Sequence, residues 1–452
     1  VILKDKRVLV LGLGISGLSI IKAINKLGVD IVVYDAKSEE ELKELLQQIK
    51  DIKIEYYLGN DEIKLEGIDL AVKSPGIPPY DPLVKRIIDE NIEVVSDIEL
   101  AYRISPTQNI ISITGTNGKT TTTMLTGEIF KKAKLNTYVV GNIGVGILDK
   151  IIDAKKDDAF IVETSSFQLE YTKYFKPKVS TILNITPDHI DWHGSYENYK
   201  RAKLKAVKNL NYEDFVVLNY DDIYLKSIIN DIKSNVILFS TNNLLDKGIY
   251  IEKENIIINN GIDKTKLMSI EDIKLIGKHN LENALASVGI ALAMGIDIDI
   301  IRKTLSSFEG VEHRLEFVSR KNGINFYNDS KGTNPDASIK AIEAIEKPII
   351  LIAGGYDKGS LFDEFIKVCK GKVKALILLG HTKRKIEETA IRYGIDNIHL
   401  VENMKDAVDL AYKLGIRGDN VLLSPACASW DMYKNFEERG CDFKTNVHQL
   451  ME

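Results

Sequence analysis

The stretch Ile113-Thr114-Gly115-Thr116-Asn117-Gly118-Lys119-Thr120-Thr121 decides how the rest of the chain is read. An apolar run over 109–113 predicts a short buried strand before it, and 121–132 predicts a helix after it. Between them, two glycines precede a Lys-Thr pair. Glycine lets backbone N–H groups approach phosphate oxygens, and the helix N-terminus adds its dipole. Lys119 can reach terminal phosphates, and the Thr120 hydroxyl can meet Mg²⁺. The spacing departs from the usual G-x-x-x-x-G-K-[ST], since only Thr116 and Asn117 separate the glycines. A plain Gly/Thr turn is the alternative, and the strand–loop–helix context favours an ATP site.

At 452 residues the chain is too long for one ordinary core, and the length prior is about three domains. Hydrophobic content of 44% and charged content of 28% are those of a globular protein. A net charge of −5 offers no broad basic field for nucleic acid or an anionic membrane, so anionic ligands must be held by local loops. Cys369, Cys427 and Cys441 are widely spaced and odd in number. They make neither a disulfide framework nor a zinc pattern, and they fit a reducing cytoplasm. No run approaches the roughly eighteen apolar residues of a membrane span. The expectation is a cytoplasmic monomer without a nucleic-acid or membrane partner.

Upstream, a strand over 8–11 runs into Gly12-Leu13-Gly14-Ile15-Ser16-Gly17, and an amphipathic stretch continues to Leu27. A second strand over 30–34 ends at Asp35. Read alone, this is the G-x-G-x-x-G fingerprint with its ribose-binding acid, which suggests a nicotinamide or flavin enzyme. The pattern itself says only that a diphosphate-like group can lie over a helix N-terminus. A strand over 69–73 then breaks into Ser74-Pro75-Gly76-Ile77-Pro78-Pro79. That break is either a ligand-binding strand end or a plain Pro/Gly loop. Helices are predicted over 82–90 and 97–103, with Ser105-Pro106 opening a linker.

After the phosphate loop, strands over 136–140, 159–162 and 179–183 end in polar residues. Their ends are Gly141-Asn142-Ile143-Gly144, Glu163-Thr164-Ser165-Ser166, and the run from Asn184 through Asp188-His189 to His193. An acid at a buried strand end beside a phosphate loop is where a Mg²⁺-organising carboxylate belongs, which nominates Glu163. Clustering with it nominates His189, while His193 reads as structural. A helix over 195–208 carries Tyr199-Lys200-Arg201-Ala202-Lys203, read as a basic, solvated face in which nothing singles out Lys203. Strands over 215–219 and 236–239 precede an Asn/Lys-rich hairpin region reaching to about 276. Gly277-Lys278-His279-Asn280 then opens a helix with Asn283 on its first turns, where Asn280 could be only a cap. Gly310-Val311-Glu312-His313-Arg314 marks a junction, and a third parallel α/β unit follows. Its strands, over 324–327, 349–353, 375–379 and 421–423, also have polar ends. Cys427, with no adjacent base pattern, reads as a buried structural thiol.

Taken together these motifs resemble the Mur ligases, the ATP-dependent amino-acid-adding enzymes of peptidoglycan synthesis. The resemblance runs through Gly12-x-Gly14-x-Ser16-Gly17, Ser74-Pro75-Gly76, the Thr114–Thr120 loop, Glu163-Thr164-Ser165-Ser166, His279-Asn280-x-x-Asn283-Ala284, His313-Arg314 and Asn328-Asp329-Ser330-Lys331. Its most diagnostic part is the stretch from Ser424-Pro425-Ala426-Cys427-Ala428-Ser429-Trp430 to Phe436-Glu437-Glu438-Arg439-Gly440, which is similar to the D-glutamate-adding branch.

The resemblance implies an α/β protein of three domains: a Rossmann-like UDP-substrate domain over 1–103, a central ATPase with a mainly parallel sheet over 104–310, and a Rossmann-like amino-acid-binding domain over 311–452. It implies no nicotinamide. Gly14, Ile15, Ser16 and Gly76 would hold the UDP substrate, with Asp35 near the uracil and Asn142 and His189 at the muramoyl part. Gly115, Thr116, Asn117, Gly118, Lys119, Thr120 and Thr121 would hold ATP, with Asn283, Arg314 and Asp329. Two Mg²⁺ ions would sit on Thr120, Glu163, His189 and Lys203, which matches a family lysine that becomes a carbamate. The catalytic set would be Lys119, Glu163, His189 and Lys203. Thr333, Lys358, Ser429 and Phe436 would receive D-glutamate, with Lys331 beside them. The substrates so implied are UDP-N-acetylmuramoyl-L-alanine and D-glutamate.

Overall fold

A computed structural model describes residues 3–59, 62–142, 145–275, 277–357 and 359–451. Its strands form three sheets. By packing, the chain divides into two compact units: Val1–Ile273 with Glu282–Ser307, and Lys274–Leu281 with Phe308–Glu452. Among the described residues, no helix is long and apolar enough to cross a membrane.

The first unit holds two sheets. The N-terminal one has five strands, β1 (Arg7–Leu11), β2 (Asp30–Asp35), β3 (Ile54–Leu58), β4 (Leu70–Lys73) and β5 (Glu93–Val95), in the order β3-β2-β1-β4-β5. All its pairs are parallel. Val8, Leu9, Val10 and Leu11 are buried, as expected of a parallel sheet covered on both faces. The chain leaves β1 for β2 on one side and returns from β3 to β4 on the other, so the carboxyl ends of β1 and β4 flank a crevice. The half-exposed edge strand β3 and the three-residue β5 were not anticipated, because neither carries a clean apolar run.

The second sheet of this unit contains β6 (Ile110–Thr114), β7 (Thr137–Gly141), β8 (Ala159–Glu163), β9 (Val179–Ile182), β10 (Phe215–Asn219), β11 (Asn235–Ser240), β12 (Gly248–Glu252), β13 (Asn255–Asn259) and β14 (Lys264–Ser269). Its order, β14-β13-β12-β11-β10-β9-β6-β8-β7, places β6 between β9 and β8. The three polar-ended strands expected to share a crevice therefore gather around β6, with β8 and β9 on either side of it and β7 beyond β8. The hairpin region is real, with β13 and β14 antiparallel additions to an otherwise parallel sheet.

The two sheets are fastened by Glu99 on the helix Asp97–Ile104. Its buried carboxylate accepts N–H bonds from Lys173, Tyr174 and Phe175 and a 2.7 Å bond from Arg103 Nε. A buried carboxylate is tolerable when so many donors satisfy it.

The second unit has one sheet: β15 (Glu316–Lys321), β16 (Ile324–Asn328), β17 (Ile349–Ala353), β18 (Val373–Leu378), β19 (Ile398–Leu400) and β20 (Asn420–Leu423), in the order β15-β16-β20-β17-β18-β19. Only β15 runs antiparallel to its neighbour. The central strand β17 is wholly buried, and helices cover both faces.

Candidate active site

The loop after β6 passes from Thr114 into the helix Lys119–Lys132. Gly118, its N-cap, has φ 86°, and a Cβ there would lie 2.2 Å from Asn283 Oδ1. Glycine is required on both counts. Side chains pin the loop elsewhere. Thr116 Oγ1 meets Tyr199 Oη at 2.9 Å and donates to Thr186 O, and Asn117 N donates to Asn184 Oδ1 at 2.9 Å. Asn283 Oδ1 also accepts from Thr122 Oγ1 at 3.3 Å, which sets the helix Lys278–Ala293 beside the loop helix. The expected neighbourhood of Asn283 and the loop is therefore present. Thr120 and Thr121 are buried in the first turn.

Lys119 curls over the loop and donates to Gly115 O at 2.8 Å and Thr116 O at 3.0 Å. Lys203 donates to the same Gly115 O at 2.8 Å and to Thr114 Oγ1 at 3.4 Å. The expectation of a solvated Lys203 is wrong: it is 1% exposed. The reason lies in position rather than composition. On the helix Tyr196–Lys208, Lys203 falls four residues after Tyr199 and three before Ala206, on the face that also buries Ala202. Burial first, and then the charge of Lys119, hold the Lys203 ammonium well below the ordinary lysine range; Asp188 and Glu163 pull the other way.

Glu163 ends β8 and is 2% exposed. Oε1 accepts from Asn142 Nδ2 at 3.0 Å. Oε2 is buried with no hydrogen-bond partner among the described residues. Such an oxygen is costly unless a further donor or a cation meets it. That makes Glu163 suited to a metal ion. His189 follows β9 in a left-handed backbone, φ 51°, with Nε2 3.5 Å from Asp188 Oδ2 and its ring 4.7 Å from that of Phe167. Burial lowers its pKa, with Lys119 and Lys203 adding to the effect and Asp188 opposing it. His193 is buried, its Nε2 is 3.0 Å from Ser166 Oγ, and burial takes its pKa to about 4. A structural role fits it.

The first glycine loop is built differently. Leu13 N donates to Asp35 Oδ2 at 2.6 Å and Lys37 N to Asp35 Oδ1 at 2.9 Å. Ser74 Oγ donates to Gly12 O at 3.1 Å, tying the loop after β4 to the loop after β1. A Cβ on Gly17 would lie 2.1 Å from Gly12 O, so only glycine lets the helix Ile15–Asn25 pack so closely. A cavity of 170 Å³ opens beside them, lined by Gly12, Tyr34, Asp35, Ile77 and Asp81 among others. Gly14 and Ile15 are exposed, Ile15 at 79%, Ser16 is half-buried, and Gly76 faces open space.

Sequence reasoning passed over Lys73, which is buried beneath this loop. Its Nζ donates to Ser74 O at 3.0 Å and to Ile77 O, and it lies 4.5 Å from the Tyr171 ring and 5.3 Å from that of Trp192. The ammonium thus joins the Ser74–Ile77 turn to the neighbouring sheet. A lysine in a strand whose other residues are apolar was the available signal.

In the second unit, Asp329 is buried after β16 and accepts from Ser424 Oγ at 2.7 Å and Leu315 N at 3.2 Å. Burial pushes its pKa up to about 6, against those bonds and the pull of Arg314. Ser429 is buried in the loop after β20, with its carbonyl accepting from Tyr433 N at 2.8 Å. Phe436 opens the helix Phe436–Gln449, 5.6 Å from Lys331 Nζ. Thr333 is half-buried and donates its N–H to Lys331 O. Asp329, Ser429, Phe436 and Thr333 therefore belong to adjoining loops at one edge. Lys358 lies outside the described residues. Cys427 is buried, 3.2 Å from Thr382 Oγ1, and desolvation lifts its pKa to about 11, as a structural thiol requires. Sequence reasoning also missed Arg439, a buried cation on the last helix.

Residues 6–96 match the description "Mur ligase MurD-like, N-terminal domain", residues 113–291 "Mur ligase middle domain", and residues 313–427 "Mur ligase, glutamate ligase domain". The chain is 50% identical to a UDP-N-acetylmuramoylalanine--D-glutamate ligase of Thermoanaerobacter sp. (strain X514), over 99% of both chains. It is 47% identical to the protein of the same name from Clostridioides difficile (strain 630), again over 99% of both. Among solved structures it resembles the UDP-N-acetylmuramate-alanine ligase of Thermotoga maritima, with a TM-score of 0.60, 18% identity, and 98% and 99% of the two chains covered. It likewise resembles a MurF ligase of Thermotoga maritima solved with ADP, with a TM-score of 0.59 and 17% identity over 99% of each chain. At those identities the structures speak for the fold, whereas the full-length relatives near 50% speak for descent, and the chain belongs to the Mur ligase family.

Proposed function

We propose that this protein is an ATP-dependent ligase that joins D-glutamate to UDP-N-acetylmuramoyl-L-alanine in peptidoglycan precursor synthesis. The observation that carries the chemistry is the cradle at β6 and β8: two lysines on one carbonyl of a glycine loop, beside a buried carboxylate with an unsatisfied oxygen. The choice of substrates is supported by the full-length likeness to the D-glutamate ligases.

A carboxylate is a poor electrophile, so it must first be activated. The L-alanyl carboxylate forms a bond to the γ-phosphorus of ATP as the bridging bond to ADP breaks. The D-glutamate amine then attacks the acyl phosphate carbon, phosphate leaves with the C–O bond, and the amine loses a proton. Positioning and charge neutralisation supply most of the acceleration. Lys119 neutralises the transferring phosphoryl group, and the N–H groups of Gly115 to Thr121 orient it. Asn283 holds the nucleotide near Gly118, and Arg314 and Asp329 are the further residues assigned to the nucleotide. Thr120, Glu163, His189 and Lys203 would hold two Mg²⁺ ions, which supply positive charge to the phosphates when bound. For that, Lys203 would take up carbon dioxide as a carbamate with loss of a proton; its burial against Lys119, which favours the neutral amine, supports this. Gly14, Ile15, Ser16 and Gly76 hold the UDP part, Asp35 shapes their loop, and Asn142 and His189 meet the muramoyl part. Thr333, Lys358, Ser429 and Phe436 receive D-glutamate.

The working domains are 1–103, 104–310 and 311–452, a division supported by the separate sheets β1–β5, β6–β14 and β15–β20. The protein acts as a cytoplasmic monomer, and its free thiols fit that compartment. ADP release from ATP with UDP-N-acetylmuramoyl-L-alanine, comparing D-glutamate, L-glutamate, L-alanine and no amino acid, tests the reading. Release should require both the UDP-sugar and D-glutamate. Release with another amino acid would overturn the assignment of the third domain, and release indifferent to the sugar would overturn the whole reading.

A further inference from the structure

Arg439 lies on the helix Phe436–Gln449, is 3% exposed, and pairs with no carboxylate among the described residues. Its hydrogen bonds go to loop atoms. Nε donates to Ser330 Oγ at 3.0 Å, one terminal nitrogen to Ser330 O at 2.8 Å, and the other to Cys427 O at 3.1 Å and Ala428 O at 3.2 Å. Ser330 Oγ in turn donates to Phe436 O at 2.8 Å. A Cβ on Gly355 would come within 3.2 Å of the same guanidinium, so the loop after β17 also rests on it. Burial lowers its pKa to about 10, with Asp431 and Asp329 among the groups that oppose this, so the group remains a cation near neutral pH.

A buried cation held by carbonyls is an expensive way to fill a core. An apolar side chain of similar volume would serve stability at least as well. What the fork geometry adds is a fixed distance between loops, because a planar guanidinium donates in set directions. The segments so fixed carry Thr333, Ser429 and Phe436, one on each.

We propose that Arg439 is a positioning residue for the amino-acid substrate, holding the loops after β16 and β20 and the start of the last helix in the register that an amino-dicarboxylate needs. This rests on the ligase reading above. Arg439→Lys keeps the charge but cannot span the same acceptors, and Ser330→Ala removes only the hydroxyl that links Arg439 to Phe436. Arg439→Lys should raise the KM for D-glutamate about tenfold, and Ser330→Ala about threefold, with the KM for ATP and for the UDP-sugar within about twofold of wild type. With hydroxylamine in place of D-glutamate as the nucleophile, ADP release by both variants should match wild type, which a general loosening of the fold would not allow.

An unchanged D-glutamate KM in both variants, or all three KM values rising together, overturns the assignment while leaving the ligase reading intact. Should Arg439→Lys fail to fold, Ser330→Ala decides alone. Wild-type turnover indifferent to D-glutamate overturns the ligase reading and this assignment with it.

Discussion

The loops after β1 and β6 start from the same backbone plan and differ in where their charge lies. Each follows a buried parallel strand, uses glycine for a close approach and opens a helix. In the first, the carboxylate of Asp35 takes the Leu13 N–H and the Lys37 N–H, and an exposed Ile15 begins the helix. In the second, Lys119 and Lys203 converge on Gly115 O. Backbone N–H groups and a helix dipole are enough to hold a phosphate. Moving a phosphoryl group requires charge that meets the transition state. Under the proposed function, the first loop would hold, and the second would hold and transfer.

Removing the cation that distinguishes the two loops should have the largest effect. Lys119→Ala should lower ADP formation by about 10³-fold or more, while calorimetric affinity for the UDP-sugar stays near wild type. Substantial residual turnover would mean that the two loops do not divide the work as described.

Lys203 comes next. Lys203→Ala should cost about a hundredfold in kcat, and added formate or acetate should restore part of it by standing in for the proposed carbamate. Full activity without added carboxylate would return Lys203 to a structural role.

Much of this contrast was legible in the sequence. The strands flanking both loops, the order of the motifs and the candidacy of Glu163 follow from apolar runs ending in polar residues, since buried parallel strands allow little else. What was hidden depends on contacts made at a distance. Lys203 was misread because charge was counted over a segment, whereas its fate is set by Tyr199 and Ala206 on the same helical face. Arg439 gave no signal, since its acceptors Ser330 and Cys427 come from loops after different strands. The pairing of Asn142 with Glu163 needed β7 and β8 to be adjacent, which sheet order alone reveals.

Lys73 extends the comparison, because the first sheet also buries a lysine against strand-end carbonyls, yet beneath its loop. Desolvation lowers the pKa of Lys73 from 10.5 to about 8, with Asp81, Asp97 and Glu170 opposing the shift. Between those values the unfolded chain binds more protons than the folded one, so stability should rise with pH across the window from about 8 to 10.5. Below about 8 the buried ammonium is fully charged and its cost is constant. Urea unfolding of wild type and Lys73→Met from pH 7 to pH 10 isolates the effect. The wild-type stability should gain on the variant by roughly 2–3 kcal/mol over that range. A constant difference would show that the lysine is protonated equally in both states.

The smallest effect should come from Asp35, and it separates the loops most cleanly. Asp35→Asn leaves one amide oxygen as an acceptor for either Leu13 N or Lys37 N and removes the charge that strengthens both bonds. A charge-assisted bond exceeds a neutral one by about 1 kcal/mol, so the KM for the UDP-sugar should rise about fivefold. The KM for ATP and the hydroxylamine-dependent release of ADP at saturating sugar should not move, because the Asp35 carboxylate bonds the loops after β1 and β2 and not the loop after β6. A fall in ADP release at saturating sugar would mean that the shape of the first loop reaches the chemistry at the second. Holding and transfer would then be one device rather than two.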